Sequence, residues 1–102
     1  MTKFIQDSLT EIITLCKMHN VKSISLFGSA AKGDMQPNSD IDFLVQFSED
    51  IEILDYADNY FSLLEKLEKL LDKKIDLVSR KSLKNPILIK EIEGSKLELY
   101  AA

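Results

Sequence analysis

Apolar residues recur every three or four positions in two long segments, which is the spacing of an amphipathic helix. The first segment runs from residue 2 to about residue 19, and Asn20 suits a helix C-cap. The second is LDYADNYFSLLEKLEKLL, residues 54–71. Its stripe is widened by Tyr56, Leu63 and Leu70, which is open to two interpretations, additional core or a surface for a partner. The predicted stripes are Ile5, Leu9, Ile12, Ile13 and Cys16 in the first helix, and Ala57, Tyr60, Phe61, Leu64, Leu67 and Leu71 in the second.

Strands are predicted where apolar and polar residues alternate. The segments are VKSISLFG from residue 21, DIDFLVQF from residue 40 and KKIDLVS from residue 73. A last helix should begin at Asn85-Pro86, as N-cap and first-turn proline, and end at Gly94. KLELY, residues 96–100, is either a final strand or an extended tail.

A single helical turn is expected at SAAKG, residues 29–33, between the first two strands, and the longer elements follow the order α-β-β-α-β-α. This order predicts an α/β (α+β) fold, in which a small mixed β-sheet is covered by helices mainly on one face and the other face stays partly open. The 102 residues contain no repeat and no long linker. We therefore expect one domain spanning residues 1–102.

Charge and cysteine content narrow the class of protein. Lys and Arg number 13 against 17 Asp and Glu, a formal net charge of −4. This charge disfavours broad nucleic-acid binding, which relies on basic residues at phosphates. Cys16 is the only cysteine, so an intrachain disulfide is excluded. No apolar run approaches the ~20 residues of a membrane helix. We expect a cytoplasmic protein without direct nucleic-acid or membrane binding.

Three aspartates interrupt the apolar strands. Asp40 and Asp42 share one side of their strand, while Ile41 and Phe43 enter the core. Asp76 interrupts the third strand in the same way. If the two strands are neighbours, three carboxylates meet, and a divalent cation would relieve their repulsion. Oxygen ligands without His or Cys nearby favour Mg²⁺ or Mn²⁺. The simpler alternative is a solvated turn that Asp40 caps.

Gly28 and Ser29, just before these carboxylates, indicate a phosphate site. A glycine at a strand end lets the backbone approach a ligand, and amides at a helix start favour anions. Ser29 adds a hydroxyl, and Lys32, one turn later, adds a positive charge. The glycine spacing also fits a P-loop, but Asp34-Met35 stand where that motif needs Lys and Ser or Thr. An anion cradle beside an acidic metal site is what a metal-bound nucleoside triphosphate requires.

The segment GSAAKGDMQPNSDIDFLV, together with KKIDLV, resembles the minimal nucleotidyltransferases of the DNA polymerase β-like superfamily. The similarity covers nearly the whole chain and implies a mixed α/β core that binds a nucleoside triphosphate with two Mg²⁺ ions. It implies that Gly28 and Ser29 hold the triphosphate. Asp40 and Asp42 would bind both metals, and Asp76 would complete the second metal site and help to deprotonate the acceptor hydroxyl. The three aspartates are thus the expected catalytic and metal-binding residues.

Nucleotidyltransferases of this size resemble antitoxins encoded beside HEPN-type RNase toxins. The implied reaction transfers AMP from ATP to a tyrosine of the toxin, so a toxin partner is implied as well. An acidic chain also suits a basic, RNA-cutting partner. Related loops carry arginines in a G-S-R-A-R-G pattern, where Ala30 and Lys32 stand in this chain. This departure leaves open slower transfer, altered nucleotide choice, or an antitoxin that neutralises its toxin by binding alone.

Overall fold

The computed structural model describes residues 3–36 and 38–102. Its helices are α1 (Lys3–Asp7), α2 (Leu9–Met18), α3 (Gly28–Lys32), α4 (Ile53–Leu71) and α5 (Pro86–Ser95), with a 3₁₀ turn at Arg80–Ser82. Its strands are β1 (Val21–Phe27), β2 (Ile41–Phe47), β3 (Ile75–Ser79) and β4 (Leu97–Ala101). The predicted order of elements is confirmed, and most of KLELY forms the strand β4.

Within the described residues, four strands form one mixed sheet in the order β3-β2-β1-β4. β1 pairs antiparallel with β2 and with β4, whereas β2 and β3 run parallel. A parallel pair needs a crossover, because the chain must return to the same end of the sheet, and α4 forms it. The α/β prediction with a small mixed sheet is confirmed.

The core lies between one face of the sheet and helices of the chain. The inward residues of β2 alternate with outward ones, so Ile41, Phe43 and Val45 are all fully buried. Burying a side chain of this size stabilises the fold by about 1.5–3 kcal/mol. Ala30 of α3 also belongs to this core. The largest fully buried side chains are Ile5, Ile12, Cys16, Ile24, Leu26, Ile41, Phe43, Val45, Leu63, Leu67 and Leu71.

His19, only 4% exposed, fastens the end of α2 to α4. Its Nδ1 lies 2.7 Å from the carbonyl oxygen of Leu15 and therefore donates, since a carbonyl only accepts. Its Nε2 lies 2.9 Å from the hydroxyl of Ser62 on α4 and can accept from it. The imidazole is fully engaged in these two bonds, so its role is structural.

An extra residue in β1 explains why two apolar residues that are three positions apart are both buried. Val21 and Ile24, three positions apart, are 4% and 0% exposed, although a regular strand would turn them to opposite faces. Val21 pairs with Phe47 and Ser23 with Gln46, so one residue of β1 has no counterpart on β2. This bulge shifts the alternation by one position.

The predicted boundaries of the first and last helices were wrong. The segment predicted as one helix from residue 2 is divided at Ser8 into α1 and α2, and residue 2 itself lies outside the described residues. Helix α5 begins as predicted, with the Asn85 side chain accepting from the N–H groups of Ile87 at 2.9 Å and Leu88 at 3.3 Å. It continues through Gly94 to Ser95, because a glycine in a last turn permits a helix end without forcing one.

The buried stripe of α4 is rotated from the predicted one. Ala57 and Phe61 were expected in the core but are exposed, Phe61 by 65%. Leu63 is fully buried, whereas Tyr56 and Leu70 pack against the core and keep part of their surface exposed. None of the helices in the described residues, including the 19-residue α4, is long and apolar enough to cross a membrane.

The sheet face opposite the core is only partly open. Asp76 is exposed on this face, as predicted. Leu44 and Ser25, on the same face of the neighbouring strands, are only 5% and 3% exposed. Ile92 of α5 is also buried and, like Leu44, lies outside the main core cluster. Leu44 and Ser25 thus close the middle of this face, while Asp76 at one end of the sheet is exposed.

We expect the stability of the protein to fall in alkaline solution partly because of Cys16. Burial raises the pKa of the Cys16 thiol from 9.0 to about 12. Above pH 9 the unfolded chain loses this proton first, so the free energy of unfolding should fall by up to ~1.4 kcal/mol per pH unit. Urea unfolding between about pH 8 and about pH 11 measures this slope. Cys16→Ala should have a lower stability but a shallower slope; equal slopes would contradict the prediction.

Candidate active site

The sheet brings two of the predicted site residues side by side. Asp42 on β2 and Asp76 on β3 are direct partners in the parallel register. Neighbouring strands are about 4.8 Å apart, so both carboxylates start from adjacent positions on the open face. Asp40 is exposed and directly precedes β2, next to this pair.

The three carboxylates interact electrostatically. The pKa of Asp42 is raised, first by partial burial and then by the negative charges of Asp76 and Asp40. Such repulsion favours the binding of a cation among the three groups. Their oxygen ligands, without His or Cys, fit Mg²⁺ better than zinc.

These carboxylates do not form a closed metal cage. Across residues 3–36 and 38–102, no three His, Cys, Asp or Glu side chains lie close enough to hold a metal ion by themselves. An open set of carboxylates is typical of Mg²⁺ sites that are completed by water and substrate phosphates. The donor set therefore fits a metal that arrives together with a phosphate ligand.

Gly28 is required by its conformation and by its contact with Asp42. Its φ is +64°, in the left-handed region that side chains disfavour. A Cβ at this position would lie 2.5 Å from Oδ2 of Asp42. The end of β1 thus approaches the carboxylate so closely that only a glycine fits between them.

The other loop residues differ in exposure. Ser29 is half-buried, Lys32 is exposed, and Gly33 donates its N–H to the Ser29 carbonyl oxygen at the end of α3. Ala30 is only 1% exposed and packs in the core. A core side chain therefore stands at the position where the family resemblance implies an arginine.

Two tyrosines of α4 support the site, although the sequence predicted neither as a site residue: Tyr60 was expected in the core and Tyr56 in the core or on a partner surface. The hydroxyl of Tyr60 donates to the carbonyl oxygen of Leu77 at 2.5 Å, one residue after Asp76. The hydroxyls of Tyr56 and Ser79 form a second bond between α4 and β3. Burial, followed by the charge of Asp76, raises the pKa of Tyr60. The four-residue spacing of Tyr56 and Tyr60 was the available signal, since it places two hydroxyls on one helix face.

The family profile "Polymerase beta, Nucleotidyltransferase" matches residues 10–102. The chain therefore belongs to the polymerase β-type nucleotidyltransferase family, and the family expected from the loop and strand motifs is confirmed. Within this family, the chain is 41% identical over 96 residues to a Methanocaldococcus jannaschii protein that carries the provisional name of a protein adenylyltransferase. The match covers 84% of this chain and 92% of that relative.

Solved structures show the same fold in toxin–antitoxin complexes. A crystal structure of a toxin–antitoxin with AMP-PNP matches with a TM-score of 0.72 and 27% identity, over 92% of this chain and 73% of that chain. A Shewanella oneidensis complex of a tri-AMPylated HEPN toxin with its MNT antitoxin matches with a TM-score of 0.66 over 95% of this chain and 72% of that chain. At 24% identity, the second match supports the fold alone.

We predict that Gly28→Ala disables the site more than it disturbs the fold. The added methyl group would displace the Asp42 carboxylate, and a misplacement of about 1 Å can reduce catalysis about 100-fold. Gly33→Ala is the matched control, because Gly33 also has a positive φ, +80°, but has nothing within 4 Å of an added Cβ. Nucleotide binding and thermal unfolding of both variants test the prediction. If the two variants lost nucleotide affinity equally, the loss would be due to backbone strain and not to the displaced carboxylate.

We also predict that Asp42→Asn is more stable than the wild type without metal. The pKa of Asp42 is raised above its ordinary value of 3.8, so at neutral pH the ionised carboxylate destabilises the folded state. This destabilisation disappears as the pH falls towards 3.8, where the carboxylate takes up its proton. At pH 7 in EDTA, the gain should be below about 1 kcal/mol, since the group is partly solvated. The exposed Asp34→Asn is the control. Denaturant unfolding at neutral and acidic pH measures the difference, and a less stable Asn variant would contradict it.

Proposed function

We propose that the chain transfers AMP from ATP to a hydroxyl group, most simply that of a tyrosine, on a HEPN-type RNase toxin, and thereby acts as its antitoxin. The observation that carries this proposal is the contact of Gly28 with Asp42, which itself pairs with Asp76. This contact places the proposed phosphate-binding loop beside the acidic residues at one end of the sheet. The sequence similarity to a protein adenylyltransferase supports the reaction, and the toxin–antitoxin structure with AMP-PNP supports the nucleotide and the type of partner.

Each predicted residue has a role in this proposal. Gly28 and Ser29 bind the triphosphate through the loop backbone and the serine hydroxyl, and Lys32 adds a positive charge at the phosphates. Asp40, Asp42 and Asp76 hold Mg²⁺, two ions in all. When bound, these ions neutralise the charge of the triphosphate and of the departing pyrophosphate.

The reaction is an in-line substitution at the α-phosphorus of ATP. The acceptor oxygen forms a bond to this phosphorus, and the bond from the phosphorus to the oxygen bridging to the β-phosphate breaks. The hydroxyl proton passes to Asp76, and pyrophosphate leaves with the bonding electron pair. The carboxylates and the loop hold the reactants in line, which is the main task of a phosphoryl-transfer site.

The acceptor is proposed to come from a second protein. The predicted site residues lie between Gly28 and Asp76, and the roles proposed for them concern the nucleotide, the metals and the acceptor proton. The HEPN-type toxin would supply the acceptor and, on modification, lose its RNase activity. The need for ATP agrees with the cytoplasmic location expected from the sequence.

The second candidate function is an antitoxin that neutralises its toxin by contact alone. It is favoured by the loop, where Ala30 is buried and Lys32 is exposed in place of the arginines of related loops. The enzyme is favoured by the preserved arrangement of Asp42, Asp76 and Gly28.

We predict that incubation with Mg²⁺ and ATP adds one or more AMP units to the HEPN-type protein encoded beside this chain. Intact-mass spectrometry measures the addition. Asp42→Asn should lower the rate at least about 100-fold, because it removes a charge that binds the metal.

The exposed Asp34→Asn is the control and should transfer AMP at the wild-type rate. If the wild type adds no mass but still neutralises the toxin, and Asp42→Asn neutralises it equally well, the contact antitoxin is correct and the transferase is not.

A further inference from the structure

An exposed apolar stripe follows the outer side of α4. Ile53, Leu54 and Phe61 are 81%, 77% and 65% exposed, and Ala57 between them is exposed as well. Positions 54, 57 and 61 follow helical spacing, so these side chains lie on one side of the helix. We call these four residues the α4 stripe. A cluster of exposed apolar residues indicates an interaction site, whereas single exposed apolar residues are ordinary.

The α4 stripe borders two adjoining grooves between α4 and the segment that follows β3. The larger groove, about 940 Å³, includes Ile53 on one side and residues 80–84 on the other. The smaller groove, about 420 Å³, lies between Phe61 and the residues Leu77 and Val78 of β3. Tyr56 lines both grooves, so the apolar surface is continuous.

Charged residues lie beside the α4 stripe. The larger groove is lined by Lys81 and Lys84 and also by Glu49, whose carboxylate pairs with Lys22, and the ammonium group of Lys81 lies 5.8 Å from the centre of the Tyr56 ring. Asp58, directly after Ala57, is exposed and lines neither groove. The two lysines are notable in a chain whose net charge is −4. A ligand that fits this surface carries acidic groups along the edge facing the two lysines.

Two backbone groups at the outer edge of β3 already have partners on α4. The N–H of Ile75 donates to Oε2 of Glu68 at 3.3 Å, and the carbonyl oxygen of Leu77 accepts from the Tyr60 hydroxyl. These side chains of α4 compete with an added strand for the same backbone groups. The occupant therefore binds through side chains, as an amphipathic helix does in a groove.

We propose that the α4 stripe and its two grooves bind an amphipathic helix of the HEPN-type partner, apolar along its centre and acidic on the flank that faces Lys81 and Lys84. This inference rests on the proposed function, since transfer to a protein hydroxyl requires a surface that holds the protein. The larger groove includes Phe47 and Ser79, at the C-terminal ends of β2 and β3, whereas Asp42 and Asp76 lie near their N-terminal ends. The five residues from Asp42 to Phe47 span about 16 Å. The larger groove can thus hold the partner away from the nucleotide site, whereas the smaller groove is lined by Leu77, the residue after Asp76.

The first test is the affinity for the HEPN-type protein encoded beside this chain, measured by isothermal titration calorimetry. Phe61→Asp should weaken binding at least about 100-fold, because it places a charge in the centre of an apolar contact. Leu54→Asp, at another exposed position, is the second variant. Ile87→Asp on α5, at a residue 78% exposed, is the matched control and should change the affinity less than about threefold. Each variant should keep the wild-type melting temperature and affinity for Mg²⁺-ATP.

The second test separates local charge from net charge. The double variant Lys81→Glu, Lys84→Glu should weaken binding at least about tenfold. The double variant Lys66→Glu, Lys90→Glu alters the net charge by the same amount at exposed lysines outside the grooves and should keep most of the affinity. Equal losses in the two double variants would overturn the assigned position of the acidic flank.

The outcomes distinguish this inference from the proposed function. If Phe61→Asp and Leu54→Asp bind the partner as the wild type does, or if the wild type does not bind it, the docking surface is wrong. If the wild type adds no AMP to the partner but binds it through Phe61, the docking surface is supported and the transferase fails. If light scattering shows a dimer of the chain alone that Phe61→Asp dissociates, a second copy occupies the surface and the inference is overturned.

Discussion

Repulsion among carboxylates that the sheet holds together is the constraint on which the structure depends. Asp42 and Asp76 are register partners, and the register cannot slip by one residue, because Ile41 and Phe43 would leave the core. Core packing therefore fixes the charges beside one another, although partial burial, and then the charges of Asp76 and Asp40, raise the pKa of Asp42 and so disfavour its ionised form. A cation with its phosphate ligand would reverse this effect, so the same arrangement would destabilise the empty domain and stabilise its complex.

Much of the fold follows from the sequence, because apolar residues recur with the period of the helix or strand that buries them. The alternation in β2 and β3 identified the strands, and the position of the aspartates within them predicted where the acidic side chains meet. The orientation of α4 did not follow, because its apolar residues cover more than one face. The structure turns Tyr56 inward and Phe61 outward, since the tyrosine hydroxyls bind groups of β3 that a phenylalanine would leave unpaired. Hydrophobicity alone therefore does not predict which of these two residues is buried.

The candidate site was predictable in its residue types but not in its contacts. Gly28 predicted a close approach of the backbone to a ligand, which stays a prediction, and the structure adds that a Cβ there would meet the Asp42 side chain of the adjacent strand. Ala30, where the family resemblance implies an arginine, belongs to the core. Both contacts depend on how α3 packs on the sheet, which is a property of distant residues and leaves no local pattern.

The crossover between β2 and β3 also bears on when the protein can act during its synthesis. Asp42 and Asp76 lie on either side of α4 in the sequence, so their strands can pair only after α4 and β3 have been synthesised. Pairing of strands that are distant in sequence is slow, because the loop between them must first be closed. A ribosome-bound chain that ends within α4 would have the loop and the first two aspartates but no complete acidic centre. The topology thus keeps the candidate site incomplete until β3 has joined the sheet.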